Sequence, residues 1–305
     1  MTQVRSVGNC LRNPSTVIPP LLLAVAGSLL FVAAYPPWSW GLVTGWVTLV
    51  PLLAAGDRAT PRHAVLCGWI YGTVGYLGAF AWLQAVADFR WYHFLILASY
   101  LGLYSAAWIL IRLRLAADRW STNLILAAAW VVLDYGRSHA GFLALPWMTL
   151  AQSQVENPSL LQVASLFGEQ AVNFIVVIGN FAIWDLLKAE RRLRSSAGVL
   201  AVLTPLLVGH QVFVHQTFTS SRSMVVSGLG TDLPPQRSQG PPPEERLQSQ
   251  LNFLQTSLPA GIDLAVLPES ALVNPTRIPD MPARLRDLAN ARHTTVILGV
   301  AASLM

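Results

Sequence analysis

Long apolar runs fill the first two thirds of this 305-residue chain, and they constrain its fold more than any other feature. A run of about 18 or more apolar residues with few charges is long enough to cross roughly 30 Å of bilayer hydrocarbon as a helix. The composition agrees, because 53% of the residues are hydrophobic, 11% are charged and the mean hydropathy is +0.48. The sequence therefore predicts a multispanning α-helical membrane bundle.

Seven segments satisfy this length criterion approximately, and they define a transmembrane helical domain over residues 17–215. Residues 1–16 precede it as a short N-terminus. The predicted spans cover residues 17–34, 38–55, 64–87, 91–113, 122–135, 171–187 and 197–214.

The basic residues beside these spans predict their orientation, because Arg and Lys are retained on the cytoplasmic side of short loops. With residues 1–16 in the cytoplasm, the predicted inner segments carry eleven Arg and Lys residues and the outer loops carry two, Arg90 and Arg137. An odd number of crossings places everything after about residue 215 on the outer face. The net charge of +5 then reflects topology, and scattered cations argue against nucleic-acid binding.

Few residues in the membrane part carry ligand or redox chemistry. Cys10 is predicted inside the cell and Cys67 begins the third span, so a disulfide between them is not expected. His210 and His215 end the last span without a third metal ligand that the sequence identifies. No cofactor or metal is predicted.

Residues 223–305 have the pattern of a water-soluble alternating α/β unit. Strands are predicted over 223–229, 263–267 and 294–300, with helices over 244–258 and 282–292. This order predicts a parallel sheet flanked by helices. In such sheets, catalytic groups gather beyond the carboxyl ends of strands. Glu269 follows the second predicted strand, where it is either a solvated loop carboxylate or a catalytic residue.

The segment from Asp263 to Ala271, DLAVLPESA, resembles the motif that carries the catalytic glutamate in the carbon-nitrogen hydrolase (nitrilase) superfamily. Together with a multispanning N-terminal part, it is similar to the apolipoprotein N-acyltransferase family. Membrane segments agree with that family: Tyr35-Pro-Pro-Trp38, the glycine-rich 69–82, Leu145-Pro-Trp147 with Gln152-Ser-Gln154, and Gly168-Glu-Gln-Ala-Val-Asn-Phe174. Residues 223–305 then correspond to the N-terminal part of a periplasmic nitrilase-like domain.

This resemblance implies an enzyme of the bacterial inner membrane that needs no cofactor. It moves an acyl chain from a phospholipid to a cysteine thiol, and then to the free α-amine of a diacylglyceryl-modified apolipoprotein. A glutamate accepts the thiol proton, the thiolate attacks the ester, and a lysine cation stabilises the oxyanion. Only the glutamate is matched here, as Glu269.

The sequence departs from the family pattern because the family lysine, cysteine and last span follow later than residue 305. Lys188, the one lysine present, is predicted on the cytoplasmic side. The sequence therefore predicts a truncated member of the family that is inactive alone. Two alternatives remain open: a noncatalytic membrane protein that binds lipid, and half of an enzyme completed by a separately encoded C-terminal partner.

Several polar residues near the predicted outer face have both a structural and a functional interpretation. Asp134 and Arg137 are three residues apart on one helix, so an ion pair is expected. Asn173 either bonds a neighbouring helix or contributes to function, and Trp147 is predicted as an interfacial anchor. The remaining candidates near a lipid entrance are His139, Glu156 and Glu169. Glycines of the third span are predicted to admit a close helix: Gly68, Gly72, Gly75 and Gly78.

Overall fold

The fold is that of a computed structural model, which describes most of the chain in two compact units, Met1–Gln216 and Thr217–Met305. The described residues are 18–86, 89–115, 120–188, 192–215, 223–228, 243–258, 261–267, 272–273, 280–297 and 299–301.

The described residues of the first unit form helices and the segments that connect them. Its α-helices are α1 Ile18–Ala33, α2 Gly41–Thr44, α3 Leu49–Arg58, α4 Pro61–Ala79, α5 Trp91–Arg114, α6 Trp120–Ser138, α7 Pro158–Leu161, α8 Ala164–Leu186 and α9 Arg192–His215. Short 3₁₀ helices cover Ala81–Ala85, Gly141–Leu143 and Gln152–Gln154. The most extensive packing joins α4 to α5, α1 to α4, and α8 to α9.

Three described helices are long and apolar enough to cross a membrane by length and composition: Trp91–Arg114, Ala164–Leu186 and Ser196–His215. A shorter apolar helix covers Pro19–Ala33. Many apolar side chains on these helices remain exposed in the folded unit, including Ile96, Leu103 and Leu207. Exposed apolar surface of this extent suits hydrocarbon rather than water. The unit is a helical membrane region.

Contacts between distant helices define two ends of the first unit. At one end, which we call the basic end, Asn123 of α6 donates to Asp185 of α8 at 2.9 Å. At the other, the loop end, Asn173 of α8 donates to Asp134 of α6 at 2.9 Å. The two α6 residues in these contacts are eleven positions apart, which corresponds to about 17 Å along a helix axis.

Residues 38–55 were predicted as one span, and the structure divides this segment between α2 and α3. Between them the backbone forms tighter turns, with Trp46 N donating to Val43 O at 3.2 Å. Pro51 favours such an interruption because it lacks an N–H and its ring clashes with the carbonyl four residues earlier.

The buried side chain of Asn180 on α8 fills this interruption. Its Oδ1 accepts from Leu49 N at 2.8 Å and its Nδ2 donates to Gly45 O at 2.9 Å. Backbone groups that helix geometry leaves unpaired are thereby satisfied, as an apolar surrounding requires.

The four glycines of α4 do admit close neighbours, but they face two helices rather than one. A Cβ at Gly72 would lie 2.7 Å from Gly102 Cα of α5. A Cβ at Gly78 would lie 2.2 Å from Val32 Cγ2 of α1. Residues spaced by three and four do not stay on one line along a helix but change direction gradually around its axis. The first two glycines of this row therefore contact α5 and the last two contact α1.

The described residues of the second unit form parallel strands with two helices. The elements are β1 Val226–Gly228, α10 Pro243–Ser257, β2 Leu264–Val266, β3 Leu272–Val273, α11 Met281–Arg292, β4 Thr295–Ile297 and β5 Val300–Ala301. Strands pair in the order β1-β2-β4, all parallel, and β3 pairs with β5. Buried leucines at 247, 251 and 254 place one face of α10 in the small core of this unit.

Candidate functional site

The catalytic residue predicted from sequence, Glu269, lies outside the described residues, and its position stays a prediction. β2 ends at Val266, and Leu267 continues the chain with its N donating to Ile297 O at 2.9 Å. The site geometry that the structure does provide lies at the loop end of the membrane unit.

Arg137 is the centre of this loop-end site, with only 1% of the residue exposed. Its Nε and Nη2 donate to Asp134 Oδ1 at 3.0 and 2.5 Å. The expected ion pair on α6 therefore forms. Its cation also lies 5.4 Å from the ring centroid of Tyr76 on α4. A planar guanidinium with several donors suits such a buried position better than a lysine would.

The same guanidinium holds the segment that follows α6. Arg137 Nη1 donates to Leu145 O at 2.6 Å and to Trp147 O at 2.8 Å. Tyr35, at the end of α1, donates its hydroxyl to Thr149 O at 2.8 Å. Met148 between these contacts has φ 59°, a left-handed conformation that a non-glycine residue rarely adopts. Residues 145–149 are therefore fixed by two helices.

Further along, buried polar side chains anchor the segment to α2. Gln154, which is fully buried, donates to Gly41 O at 2.7 Å, and Ser153 Oγ donates to Leu150 O at 2.6 Å. A Cβ at Gly41 would lie 2.0 Å from Ser153 O, so only glycine permits this approach. The motif Gln152-Ser-Gln154 thus serves backbone anchoring.

A cleft of about 110 Å³ opens between α6, this segment and the start of α8. Its lining consists of Val131, Asp134, Tyr135, Ser138, His139, Pro146, Thr149, Glu169, Gln170 and Asn173. Four residues whose roles the sequence left open line this cleft, and Arg137 lies beside it as the ion-pair partner of Asp134. Convergent polar groups in a cleft are the usual sign of a binding site.

Glu169 and Asn173 enter the cleft from the first turns of α8. Gly168 precedes them with φ 73° and interrupts the helix there, which redirects the chain at this point. Thr149 Oγ1 donates to Glu169 Oε1 in a short contact. Asn173 is 2% exposed and donates from Nδ2 to Asp134, while its Oδ1 has no partner in the part of the chain that the structure describes.

Tyr135 and His139 line the cleft, and Trp147 directly follows the lining residue Pro146. His139 stacks on Tyr135 with ring centroids 4.0 Å apart. Trp147 is 48% exposed and contacts Trp82 edge to face at 5.7 Å. Half-exposed tryptophan suits the depth of lipid headgroups, although its assignment as an anchor stays a prediction. Other large exposed apolar residues at this end are Trp38, Trp40, Trp91, Phe142, Leu166 and Phe167.

Lys188 lies at the basic end, far from the cleft. Asp57 forms salt bridges with both Arg112 and Lys188, and Lys188 Nζ lies 4.4 Å from the ring centroid of Trp184. Burial raises the pKa of the Asp57 carboxyl, but the two cations outweigh burial, so the net pKa is lowered. Lys188 is therefore committed to a structural ion pair.

Other sequence candidates lie outside the cleft lining. Glu156 is exposed on the segment before α7, and His210 Nδ1 lies 3.3 Å from Ser159 Oγ. Cys67 is a free, buried cysteine in α4, and Cys10 lies outside the described residues. Thr149 and Tyr35 were not predicted as site residues. The only sequence signal for them was their place in or beside the quoted segments 35–38 and 145–147.

The fold and the cleft define a helical membrane protein with a polar site at one end. Residues 27–182 match the family described as the apolipoprotein N-acyltransferase N-terminal domain. This match covers half of the chain and includes every residue of the cleft. The chain belongs to this family.

Curated relatives agree with this assignment. The chain is similar to the apolipoprotein N-acyltransferase of Geobacter metallireducens, with 29% identity over 55% of this chain and 33% of the relative. The chain is also similar to the Haemophilus ducreyi protein of the same name, with 23% identity over 94% of this chain and 57% of the relative. The chain is likewise similar to the apolipoprotein N-acyltransferase of Gloeobacter violaceus, with 30% identity over 52% of this chain and 33% of the relative. The chain thus spans from a third to less than three fifths of the length of these relatives.

Proposed function

We propose that this chain provides the membrane part and the catalytic glutamate of an apolipoprotein N-acyltransferase. Its substrates are a phospholipid acyl donor and a diacylglyceryl-modified apolipoprotein acceptor. The observation that carries this proposal is the family match over residues 27–182, the region that builds the cleft.

In the proposed reaction Glu269 accepts the proton of a cysteine thiol. The thiolate attacks the ester carbonyl of the phospholipid, a thioester forms, and the lysophospholipid alkoxide leaves with a proton. The α-amine of the acceptor then attacks the thioester, an amide forms, and the thiol is restored. A lysine cation stabilises the oxyanion in both steps.

We propose seven crossings of the bacterial inner membrane, with the second interrupted between α2 and α3. The loop end and residues 223–305 then face the periplasm, and the latter form part of a nitrilase-like domain. Two observations support the nitrilase-like assignment. β1, β2 and β4 pair in parallel, and Glu269 comes three residues after β2, beyond the carboxyl end of a strand where catalytic groups gather in such sheets.

Within the part of the chain that the structure describes, neither Cys67 nor Lys188 suits the role of nucleophile or oxyanion cation in this proposal. Lys188 is paired with Asp57 at the basic end, and Cys67 is buried between helices. We therefore expect residues 1–305 alone to bind lipid without transferring an acyl chain. This expectation leaves two alternatives open. The protein is either a noncatalytic membrane protein that binds lipid, or half of an enzyme that a separately encoded partner completes.

The test is complementation by the complete gene in a bacterium depleted of its own N-acyltransferase. We expect growth and a triacylated lipoprotein detected by mass spectrometry, and we expect Glu269→Gln to abolish both. Glu156→Gln, at an exposed position outside the cleft, is the matched control. A Glu269→Gln variant that still produced triacylated lipoprotein would contradict the role of Glu269.

A further inference from the structure

The basic end brings positively charged residues from four helices together. Asp57, near the end of α3, forms salt bridges with Arg112 at the end of α5 and with Lys188, two residues after the end of α8. Because α4 begins three residues after α3 ends, its first turn lies at the same end. The cations of this end whose side chains the structure describes are Arg58, Arg62, Arg112, Arg114 and Lys188.

Acidic residues do not balance these five cations. Among the described side chains, the basic end holds two carboxylates, Asp57 and Asp185. Three of the arginines, at positions 58, 62 and 114, are exposed and form no salt bridge within the described residues. The described part of the basic end therefore has an excess of three positive charges, and its unpaired arginines are accessible from outside the protein.

The two paired cations also keep capacity for a ligand. Arg112 donates from Nη2 to Asp57, which uses one of the five N–H donors of its guanidinium. Lys188 Nζ lies 4.4 Å from the ring centroid of Trp184, so this contact helps to fix the position of the ammonium group. Both side chains are partly exposed. Because two cations share a single carboxylate, the paired centre itself remains positive.

Exposed apolar side chains lie within four residues of these cations on the same helices. They are Leu66 on α4, Leu110 on α5, and Leu186 and Leu187 at the end of α8. Guanidinium groups form strong hydrogen bonds with phosphate, and clustered basic residues beside a membrane helix attract anionic headgroups. A phosphate on the cations with acyl chains on the leucines satisfies both kinds of surface, whereas a free phosphate covers only the charges.

We propose that the basic end binds an anionic phospholipid, with its phosphate at the arginine cluster and its acyl chains against the neighbouring leucines. This lipid site lies at the opposite end of the membrane unit from the cleft. The bound lipid is not an acyl donor, and the inference does not rest on the proposed acyl transfer. The net negative charge of the lipid is the property that the site recognises.

A pair of lipids that differ in net charge tests this proposal on the purified chain in detergent. The probes are phosphatidylglycerol and phosphatidylcholine with the same acyl chains. Both contain a phosphate, but only phosphatidylglycerol is a net anion. We expect native mass spectrometry to show that phosphatidylglycerol binds at least about tenfold more tightly, a ratio equal to about 1.4 kcal/mol. Equal affinities for the two lipids would overturn the proposal.

A double variant assigns this preference to the basic end. Arg58→Gln/Arg114→Gln should remove most of the preference, because each basic residue near a lipid surface contributes to the attraction of an anionic headgroup. The matched control, Arg90→Gln/Arg286→Gln, removes the same charge at exposed positions away from the basic end and should keep the wild-type ratio. All four positions are exposed, so both variants should fold. An unchanged ratio in the first variant, or an equal loss in the control, would contradict the site.

A competition experiment separates a lipid from a free phosphate. Glycerol 3-phosphate carries the phosphate without acyl chains, and we expect it to leave phosphatidylglycerol bound when both are present at equal concentration. Displacement under these conditions would identify the basic end as a site for soluble phosphates and would make the lipid assignment wrong.

Discussion

The two ends of the membrane unit solve the same electrostatic problem in different ways. At the basic end Asp57 is shared by Arg112 and Lys188, and the side chains of these three residues are 16% to 30% exposed. At the loop end the Arg137 side chain is 1% exposed and is satisfied by Asp134 and two backbone carbonyls. At the basic end water helps to solvate the charges. At the loop end the charge is buried, so protein groups alone must compensate for the loss of solvation.

This difference shows which charges organise structure. Arg112 and Lys188 can exchange partners with solvent, so each is replaceable in principle. Arg137 fixes α6 and residues 145–147 at once, and it leaves Glu169 as the only carboxylate of the cleft without a cation among the described residues. Among the described residues, the loop end therefore holds its ion pair in buried contacts beside a cleft, whereas the basic end pairs its charges in partly exposed contacts.

The largest expected effect concerns the sides of the membrane on which the two ends lie. In a Cys10→Ser background, Phe142→Cys should react with a membrane-impermeant maleimide on intact spheroplasts, and Thr60→Cys should react only after lysis. Both positions are exposed, and Cys67 is buried. Labelling of Thr60→Cys before lysis would reverse or invalidate the proposed orientation.

The next effect compares the two arginines as determinants of stability. Arg137→Met should lower the free energy of unfolding by about 3–5 kcal/mol, because it leaves the buried Asp134 carboxylate without its cation and two backbone carbonyls without their donor. Arg112→Met should lower it by about 1 kcal/mol or less, since Lys188 still pairs with Asp57. Thermal or denaturant unfolding in detergent measures both, and equal losses would remove the distinction between the ends.

The smallest effect is the pH dependence at the basic end. Because the pKa of Asp57 is lowered in the folded state, its ion pairs stabilise the fold above the unfolded value of about 3.9. This contribution disappears as the pH falls through the folded value. Between pH 6 and pH 3, wild type should therefore lose up to about 1 kcal/mol more stability than Asp57→Asn. Parallel unfolding curves for the two proteins at both pH values would argue against it.

Apolar runs and residue spacing in the sequence predicted several elements of the structure correctly. The expected span 91–113 corresponds to α5 Trp91–Arg114, and the spacing of Asp134 and Arg137 correctly predicted their contact. In the second unit, β1, β2 and β4 fall within the predicted strands, and α10 and α11 match the predicted helices to within one residue, whereas β3 was not predicted; the main sheet is parallel, as expected. These features depend on neighbours within a few residues, so one sequence contains enough information for them.

Features that depend on distant partners were not predictable in this way. Pro51 signals a weak point in the second segment, but nothing near it identifies Asn180 as the residue that stabilises the break. Likewise, Tyr35 and Thr149 are 114 residues apart, and Thr149 and Glu169 are 20 apart. The polar residues near the predicted outer face were named as separate candidates, and only tertiary structure assembles four of them around one cleft.

The dependence of the second segment on Asn180 has a consequence for biogenesis. Leu49 and Asn180 are separated by 131 positions, so the amide that completes the segment emerges from the ribosome long after the segment itself. Until then its open backbone groups must be hydrated or sheltered by the insertion machinery. The interrupted segment formed by α2 and α3 therefore reaches its final packing only after α8 has been synthesised.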